Sequence, residues 1–352
     1  MSKSKSNSHP QPGSVITLGL DIGYGVVKAI TDTQAVVFPS VMGHARELKF
    51  GQESMHTKYP GDQITDEQGM WFVGDLALSQ IPQGELLRLR GRTANEKTMG
   101  NAFRLRLAKA AIGKLLPNIW NREPVHLRIA TGLPTDHMPD ADELKTALLG
   151  QHLIQTDCAE LIANVVEVMV MPQPYGTLYA HLLTDSGEIN ARHTYMRTGV
   201  VDVGTYTVDI ALDEDGEFKD AESGSVESGV FTAQERIATL LERDHRQKIP
   251  FSIIERVMRT GVFLANGKSL DYSAEVEDAL SPLRSATLNL LSERWKRGTT
   301  VEVIYLSGGG AELVYEQVAV AYPQTQLVKN AQLANARGYL NYAHFAARQE
   351  AI

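Results

Sequence analysis

One turn design occurs twice in the chain, and it constrains the fold more than any other feature. Residues 18–29, LGLDIGYGVVKA, and residues 200–212, VVDVGTYTVDIAL, each run from an apolar stretch through Asp-x-Gly and a small or hydroxylated turn into a second β-prone stretch. Superposed, Asp21 falls on Asp202 and Gly23 on Gly204, while Ile22/Val203 and Val27/Val208 keep the apolar register. A chain that builds this turn twice is expected to consist of two related halves facing one site.

The residue types suit phosphate chemistry. Glycine reaches backbone conformations closed to other residues, so its amides approach phosphate oxygens closely. An unpaired carboxylate at the end of a buried strand costs several kcal/mol, which leaves few roles for Asp21 or Asp202. Holding hydrated magnesium, or the water that attacks a phosphate, is one such role. Either copy alone reads more simply as a plain hairpin turn, and the matched pair reverses that weighting. A third element shifts the balance: VEVIYLSGGGAEL, 301–313, is a β-branched run ending in Ser307, Gly308, Gly309 and Gly310 ahead of a helix, whose N-terminus favours negative charge.

Composition excludes several classes. With 352 residues, 43% hydrophobic and 22% charged, the chain is long enough for two or so domains. A formal charge of -8 argues against a broad face that grips nucleic acid, so a link to DNA is expected to run through a partner. Cys158 is the only cysteine, which rules out a disulfide framework or a thiolate cluster within one chain. No apolar run of about 18 residues is present, and residues 1–13 lack the apolar stretch of a secretory signal. A cytoplasmic protein with a disordered leader is expected.

Strands are predicted at 15–22, 25–31 and 34–38, with a matching meander after the second turn that includes DEDG at 213–216. Residues 44–75 read as polar and irregular, part of a small inserted subdomain at about 44–100 with Trp71 and Phe72 as packing anchors. The spacing predicts an amphipathic helix over 100–116, with Arg104, Arg106, Lys109 and Lys114 as its solvated face. HLRIATGLPTDHM, 126–138, reads as a buried strand entering a Gly-Pro loop. Thr232 and Glu235 have capping-box form, residues 275–297 suggest a helix bent or broken near Pro282, and 333–347 a final helix.

Together the three glycine elements resemble the actin and heat-shock-chaperone ATPase superfamily over residues 15–343. The resemblance implies an α/β actin-like ATPase fold, two related ribonuclease-H-like domains around a nucleotide cleft. Domain I would take 14–197 and 328–352, and domain II 198–327. Gly23, Tyr24, Gly25 and Lys28 match the first phosphate loop; Gly204, Thr205 and Tyr206 match the second; Ser307–Gly310 match the adenosine motif. Asp21 and Asp202 would stand near magnesium, ATP or GTP would bind, and Gln173, in VMVMPQPYGTL, would orient the attacking water.

Within the superfamily, FPSVMG, ATGLPTDHM, ESGSVESGV and NARGYL are similar to the plasmid-segregation actins of the ParM and StbA type and their archaeal relatives. That implies a homopolymer filament, an adaptor that binds DNA, no direct nucleic-acid contact and no membrane contact. The second turn, Gly-Thr-Tyr-Thr, departs from the Gly-Gly-Gly-Thr of the chaperones, so kinship there is weak. The rival reading is a small-molecule kinase of the sugar and acetate kinase class, with Asp136 or Asp140 as general base. The single cysteine excludes the iron–sulfur activator ATPases, and the tail HFAARQEAI is too mixed in charge for a membrane anchor.

Overall fold

The computed structural model describes residues 15–48, 57–89, 94–191 and 197–350; the predicted leader lies outside them. In chain order the first half holds β1 (Val15–Ile22), β2 (Val26–Ile30), β3 (Ala35–Pro39), β4 (Met42–His44), β5 (Gln63–Asp66), β6 (Gly69–Val73), α1 (Gly74–Gln80), α2 (Ala94–Leu115), β7 (Trp120–Leu133), α3 (Ala141–Leu148), β8 (Gly150–Thr156), β9 (Glu160–Pro172) and α4 (Pro174–Leu182). The second holds β10 (Arg197–Val203), β11 (Val208–Glu214), β12 (Glu217–Phe218), β13 (Gly224–Val226), α5 (Val230–His245), α6 (Phe251–Thr260), β14 (Val262–Ala265), β15 (Lys268–Asp271), α7 (Ser273–Trp295), β16 (Val303–Ser307), α8 (Ala311–Ala321) and β17 (Thr325–Leu327). Helix α9 (Ala334–Glu350) closes the described chain.

The repeat seen in sequence is a repeat of topology. The first sheet runs β3-β2-β1-β7-β9 before continuing through β8, β5, β6 and β4, and the second runs β12-β11-β10-β16-β17. Each begins as an antiparallel meander and becomes parallel where a chain crossover returns it, as at Leu18↔Ile129 and Asp202↔Ser307. The hairpins share one register, Asp21↔Lys28 and Ile22↔Val27 in the first, Asp202↔Asp209 and Val203↔Val208 in the second. Central strands with both faces covered need nearly continuous apolar runs. Leu18 and Leu20 in β1, and Val200, Val201 and Val203 in β10, supply them and are buried. The turn DEDG closes β11 onto β12 with Asp215 and Gly216 both at positive φ, the conformation a two-residue hairpin of this kind demands.

Several expectations are corrected. Residues 63–73 are not irregular: β5 and β6 join the first sheet through Ile64↔Thr156, and Trp71 and Phe72 anchor the packing as predicted. The basic side chains of α2 are not a uniformly solvated face. Arg106 is buried, stacked 4.1 Å above the Trp71 ring and bonded to Asp66, while Lys114 reaches Asp62 at 2.6 Å. A helix that looks outward in sequence is therefore clamped on its basic side by acids from the β5 region. The capping box does not form. Helix α5 starts at Val230 with Gly229 as N-cap, because Gly229 lies on the backbone of Thr205, where a Cβ would come within 2.3 Å. Pro282 does not break α7, which Leu280 and Leu283, buried on either side of it, keep seated on the core.

Candidate nucleotide site

The ends of β1, β10 and β16 converge, and with them the three glycine elements. A Cβ on Gly25 would fall 2.1 Å from Thr205 Oγ1, so the first turn touches the second and only a glycine fits. Gly308, at φ +91°, crosses the Asp202 carboxylate so closely that a Cβ would sit 2.3 Å from Oδ1. Gly310 packs on Val203, whereas a Cβ on Gly309 would have nothing within 4 Å. The SGGG segment thus turns one glycine onto the second hairpin and leaves its neighbour facing open space.

Each loop is tied down from behind. Ser40, in the FPSVMG run, donates to the Gly23 carbonyl at 2.5 Å, and its own amide bonds Gly25 O. In the second loop the amides of Val230 and Phe231 bond the carbonyls of Gly204 and Thr205, and Gly204 N bonds Thr207 O. Tyr24 and Tyr206 meet edge to face at 6.0 Å, Tyr24 Oη lies 3.1 Å from His137 Nδ1, and Tyr206 packs on Phe231. Beyond this aromatic bridge a cavity of about 640 Å³ opens between Gln83, Leu86 and Arg88 of the first half and Phe231, Gln234 and Phe251 of the second.

Charge is concentrated between the turns. Lys28 Nζ is 2.8 Å from Asp21 Oδ2, with side chains 12% and 2% exposed. Burial pushes the Lys28 ammonium down, but Asp21, with Asp202 behind it, more than offsets this and holds it above its ordinary value. Burial pushes Asp202 up to about 7, helped by repulsion from Asp21 and Asp209 and opposed by Lys28 and by a hydrogen bond from Asn335. Thr207 Oγ1 donates to Asp209 Oδ2 at 2.7 Å. Among the described residues no group of three or more His, Cys, Asp or Glu could hold a metal unaided. The buried carboxylates of Asp21 and Asp202 are nonetheless the hard oxygen donors that suit magnesium, which keeps several waters and takes only one or two carboxylates beside phosphate.

Gln173 lies at the head of α4, its backbone N–H on Leu133 O at 2.7 Å and its backbone carbonyl accepting from Tyr339 Oη at 3.2 Å. Of the rival general bases, the side chain of Asp136 lies outside the described residues, and Asp140 sits just ahead of α3 at the N-cap position. Sequence reasoning missed Ser40, Thr177, Asn335 and Tyr339 as site residues. Ser40, Asn335 and Tyr339 lie in segments singled out for resemblance alone, and nothing in their spacing announces that α9, packed on α4, β1 and β7, would bring Asn335 to Asp202 from the far end of the chain.

Residues 19–176 match the family of actin-like protein N-terminal domains, and residues 200–320 match the C-terminal domain of the archaeal MreB-like actin homologues. The chain belongs to the actin-like proteins. Among solved structures, this actin-like chain is similar to a non-polymerisable quadruple mutant of pCBH ParM, with TM-score 0.76 and 22% identity over 96% of this chain and 100% of that one. A 15-stranded ParM filament from Clostridium botulinum gives 0.75 and 22% over 94% and 99%. The archaeal actin homologue Ta0583 in complex with ADP gives 0.72 and 19% over 95% and 100%. No curated protein matches the chain. At these identities the likeness establishes the fold, and no helix among the described residues is long and apolar enough to cross a membrane.

Proposed function

We propose that this actin-like protein binds ATP or GTP with magnesium between its halves, hydrolyses it, and assembles into a homopolymer filament whose subunits loosen after hydrolysis. The observation that carries the reading is the convergence of the two turns. Gly25 lies against Thr205, Gly308 lies against Asp202, and Lys28 bonds Asp21 with Asp202 close behind. No other place in the described chain brings two glycine turns, a buried cation and two buried carboxylates together.

In this reading the backbone of Gly23, Tyr24 and Gly25, and of Gly204, Thr205 and Tyr206, cradles the phosphates, and Lys28 neutralises them. Ser307–Gly310 border the adenosine or guanosine. Bound magnesium would supply charge neutralisation, and Asp21 and Asp202 are the residues that would hold it. Gln173, nearly incapable of acting as a base, orients the attacking water, so catalysis rests on position and charge. Nucleotide contacts drawn from both halves stabilise the closed form, and subunit contacts that select the same form couple assembly to the bound nucleotide. Domain I would comprise 14–197 and 328–352, and domain II 198–327. A cytoplasmic filament that positions plasmid DNA through a DNA-binding adaptor fits the acidic charge of -8. The ParM filament among the solved neighbours and the ADP-bound archaeal homologue support assembly and nucleotide binding respectively.

The test is to add magnesium with ATP or GTP to the purified chain, follow light scattering and phosphate release, and image the product. Filaments that form with nucleotide and disassemble as phosphate appears are expected. A monomer that consumes nucleotide only when a sugar or an organic acid is added would overturn the reading in favour of a kinase.

A further inference from the structure

The first turns of α9 reach both residues assigned to hydrolysis. Asn335 Nδ2 donates to Asp202 Oδ2 at 2.7 Å, and four residues on, Tyr339 Oη donates to the backbone carbonyl of Gln173 at 3.2 Å, fixing the main chain from which the Gln173 side chain projects. Positions i and i+4 share one helix face, so a single face addresses the second half through one side chain and the first half through the other. The Asn335 amide cannot turn over. Its oxygen accepts from Thr177 N at 3.0 Å and from Thr177 Oγ1 at 2.7 Å, which leaves its nitrogen for Asp202. Thr177 Oγ1 also lies 2.8 Å from Ser307 Oγ, tying the same knot to the end of β16, and all four side chains are buried.

The helix itself is locked. A Cβ on Gly19 would meet Ala336 O at 2.0 Å, one on Gly338 would meet Gly176 O at 1.6 Å, and one on Gly132 would meet Tyr339 Oη at 2.0 Å. Glycines of β1, α4, β7 and α9 thus let α9 approach closer than any side chain would permit. A buried polar network of this kind is high in stakes: satisfied, it fixes one geometry, and each missing partner leaves an uncompensated group.

We propose that Asn335, with Thr177 behind it, and Tyr339 are positioning residues that hold Asp202 and Gln173 for nucleotide hydrolysis. The proposal rests on the function assigned above and adds to it which residues set the geometry. Neither side chain need touch nucleotide; each acts through the group it bonds.

The experiment uses the full chain as wild type and as Asn335→Ala, Thr177→Val, Thr177→Ser and Tyr339→Phe. Phosphate release is measured across a magnesium titration, with ATP, or with GTP where ATP is not turned over. Binding of a fluorescent analogue of the same nucleotide is measured separately in EDTA. Residues just outside a metal site typically change affinity or activity by about 10–100-fold, and Asn335→Ala is expected to lower kcat by about that much and to raise the magnesium needed for half-maximal rate. Its affinity in EDTA should stay within about twofold of wild type, the signature of an interaction used in turnover rather than in binding. Thr177→Val should move both quantities the same way by less, and Thr177→Ser, which keeps the hydroxyl, should restore them. Tyr339→Phe should lower kcat with the magnesium requirement unchanged, since it acts on Gln173. Should Asn335→Ala prove insoluble, the Thr177 pair decides alone. Variants of Asn335 and Thr177 that turn over like an active wild type at every magnesium concentration would overturn the positioning roles and leave the assigned function intact. A wild type that hydrolyses neither nucleotide would overturn both.

Discussion

The two hairpins have the same register and opposite electrostatics. In the first, Asp21 faces Lys28 across the ladder and the pair is internally neutral. In the second, Asp202 faces Asp209, two carboxylates on adjacent strands, held by Asn335 on one and Thr207 on the other. Backbone geometry was duplicated while charge was not. The first half carries its own counter-ion, so it is expected to stand folded without nucleotide. The second half holds a carboxylate pushed up to about 7, which a cation in the cleft would relieve.

The sharpest way to break this contrast is Lys28→Ala. Removing one partner of a buried pair costs about 3–5 kcal/mol because the other charge is left uncompensated. Asp21 is 2% exposed, so thermal and urea denaturation of the nucleotide-free chain should show a loss of that order, and a loss below about 1 kcal/mol would mean that the pair is solvated. Gly25→Ala probes whether the hairpins really meet. The added methyl falls 2.1 Å from Thr205 Oγ1, and overpacking of this kind costs about 1–3 kcal/mol. Nucleotide affinity should fall about 5–150-fold by that energy, and Thr205→Ala in the same chain should restore part of it. Binding unchanged by Gly25→Ala would place the turns apart.

Asp209→Asn tests the second half from the other direction. The amide keeps an acceptor for Thr207 and removes a charge that pushes Asp202 up, so the nucleotide-free chain should gain up to about 1 kcal/mol. A loss instead would show that Asp209 is bound to something more favourable than its neighbours. The smallest effect lies away from both hairpins. Burial pushes the Asp66 carboxyl up, but Arg106, the Gln68 amide and the Trp71 indole more than offset it and hold it below its ordinary value of 3.8. A depressed carboxyl stabilises the fold fully above its unfolded pKa and loses that contribution as pH falls through the folded one. Acid unfolding followed by fluorescence should therefore differ between wild type and Asp66→Asn above pH 3.8 and converge below it, with both hairpins unaffected.

Where structure is local, the sequence was legible: Asp-x-Gly, its flanking apolar alternation and the β-branched entry to SGGG placed the strands of both hairpins to within a residue or two, since strand period and turn chemistry are nearest-neighbour properties. What could not be read is what distant segments contribute. Asn335 looks like a polar residue at a helix start, and only the crossing of α9 over α4 at Gly338 and Gly176 brings it to Asp202. Arg106 looks solvated because its partner Asp66 lies in a stretch that reads as irregular, and Thr232 looks like a cap until Gly229 is seen to rest on the loop before it. In each case a tertiary contact overrode a local preference.

In the proposed reading the second hairpin is the hydrolytic half of one shared site, and Asp202→Ala separates that role from binding. Nucleotide affinity and phosphate release should be measured on the same preparation, alongside light scattering. Affinity should stay within about tenfold of wild type, hydrolysis should slow by at least about 100-fold, and filaments should form with nucleotide and then persist. Hydrolysis by Asp202→Ala at the wild-type rate would contradict it.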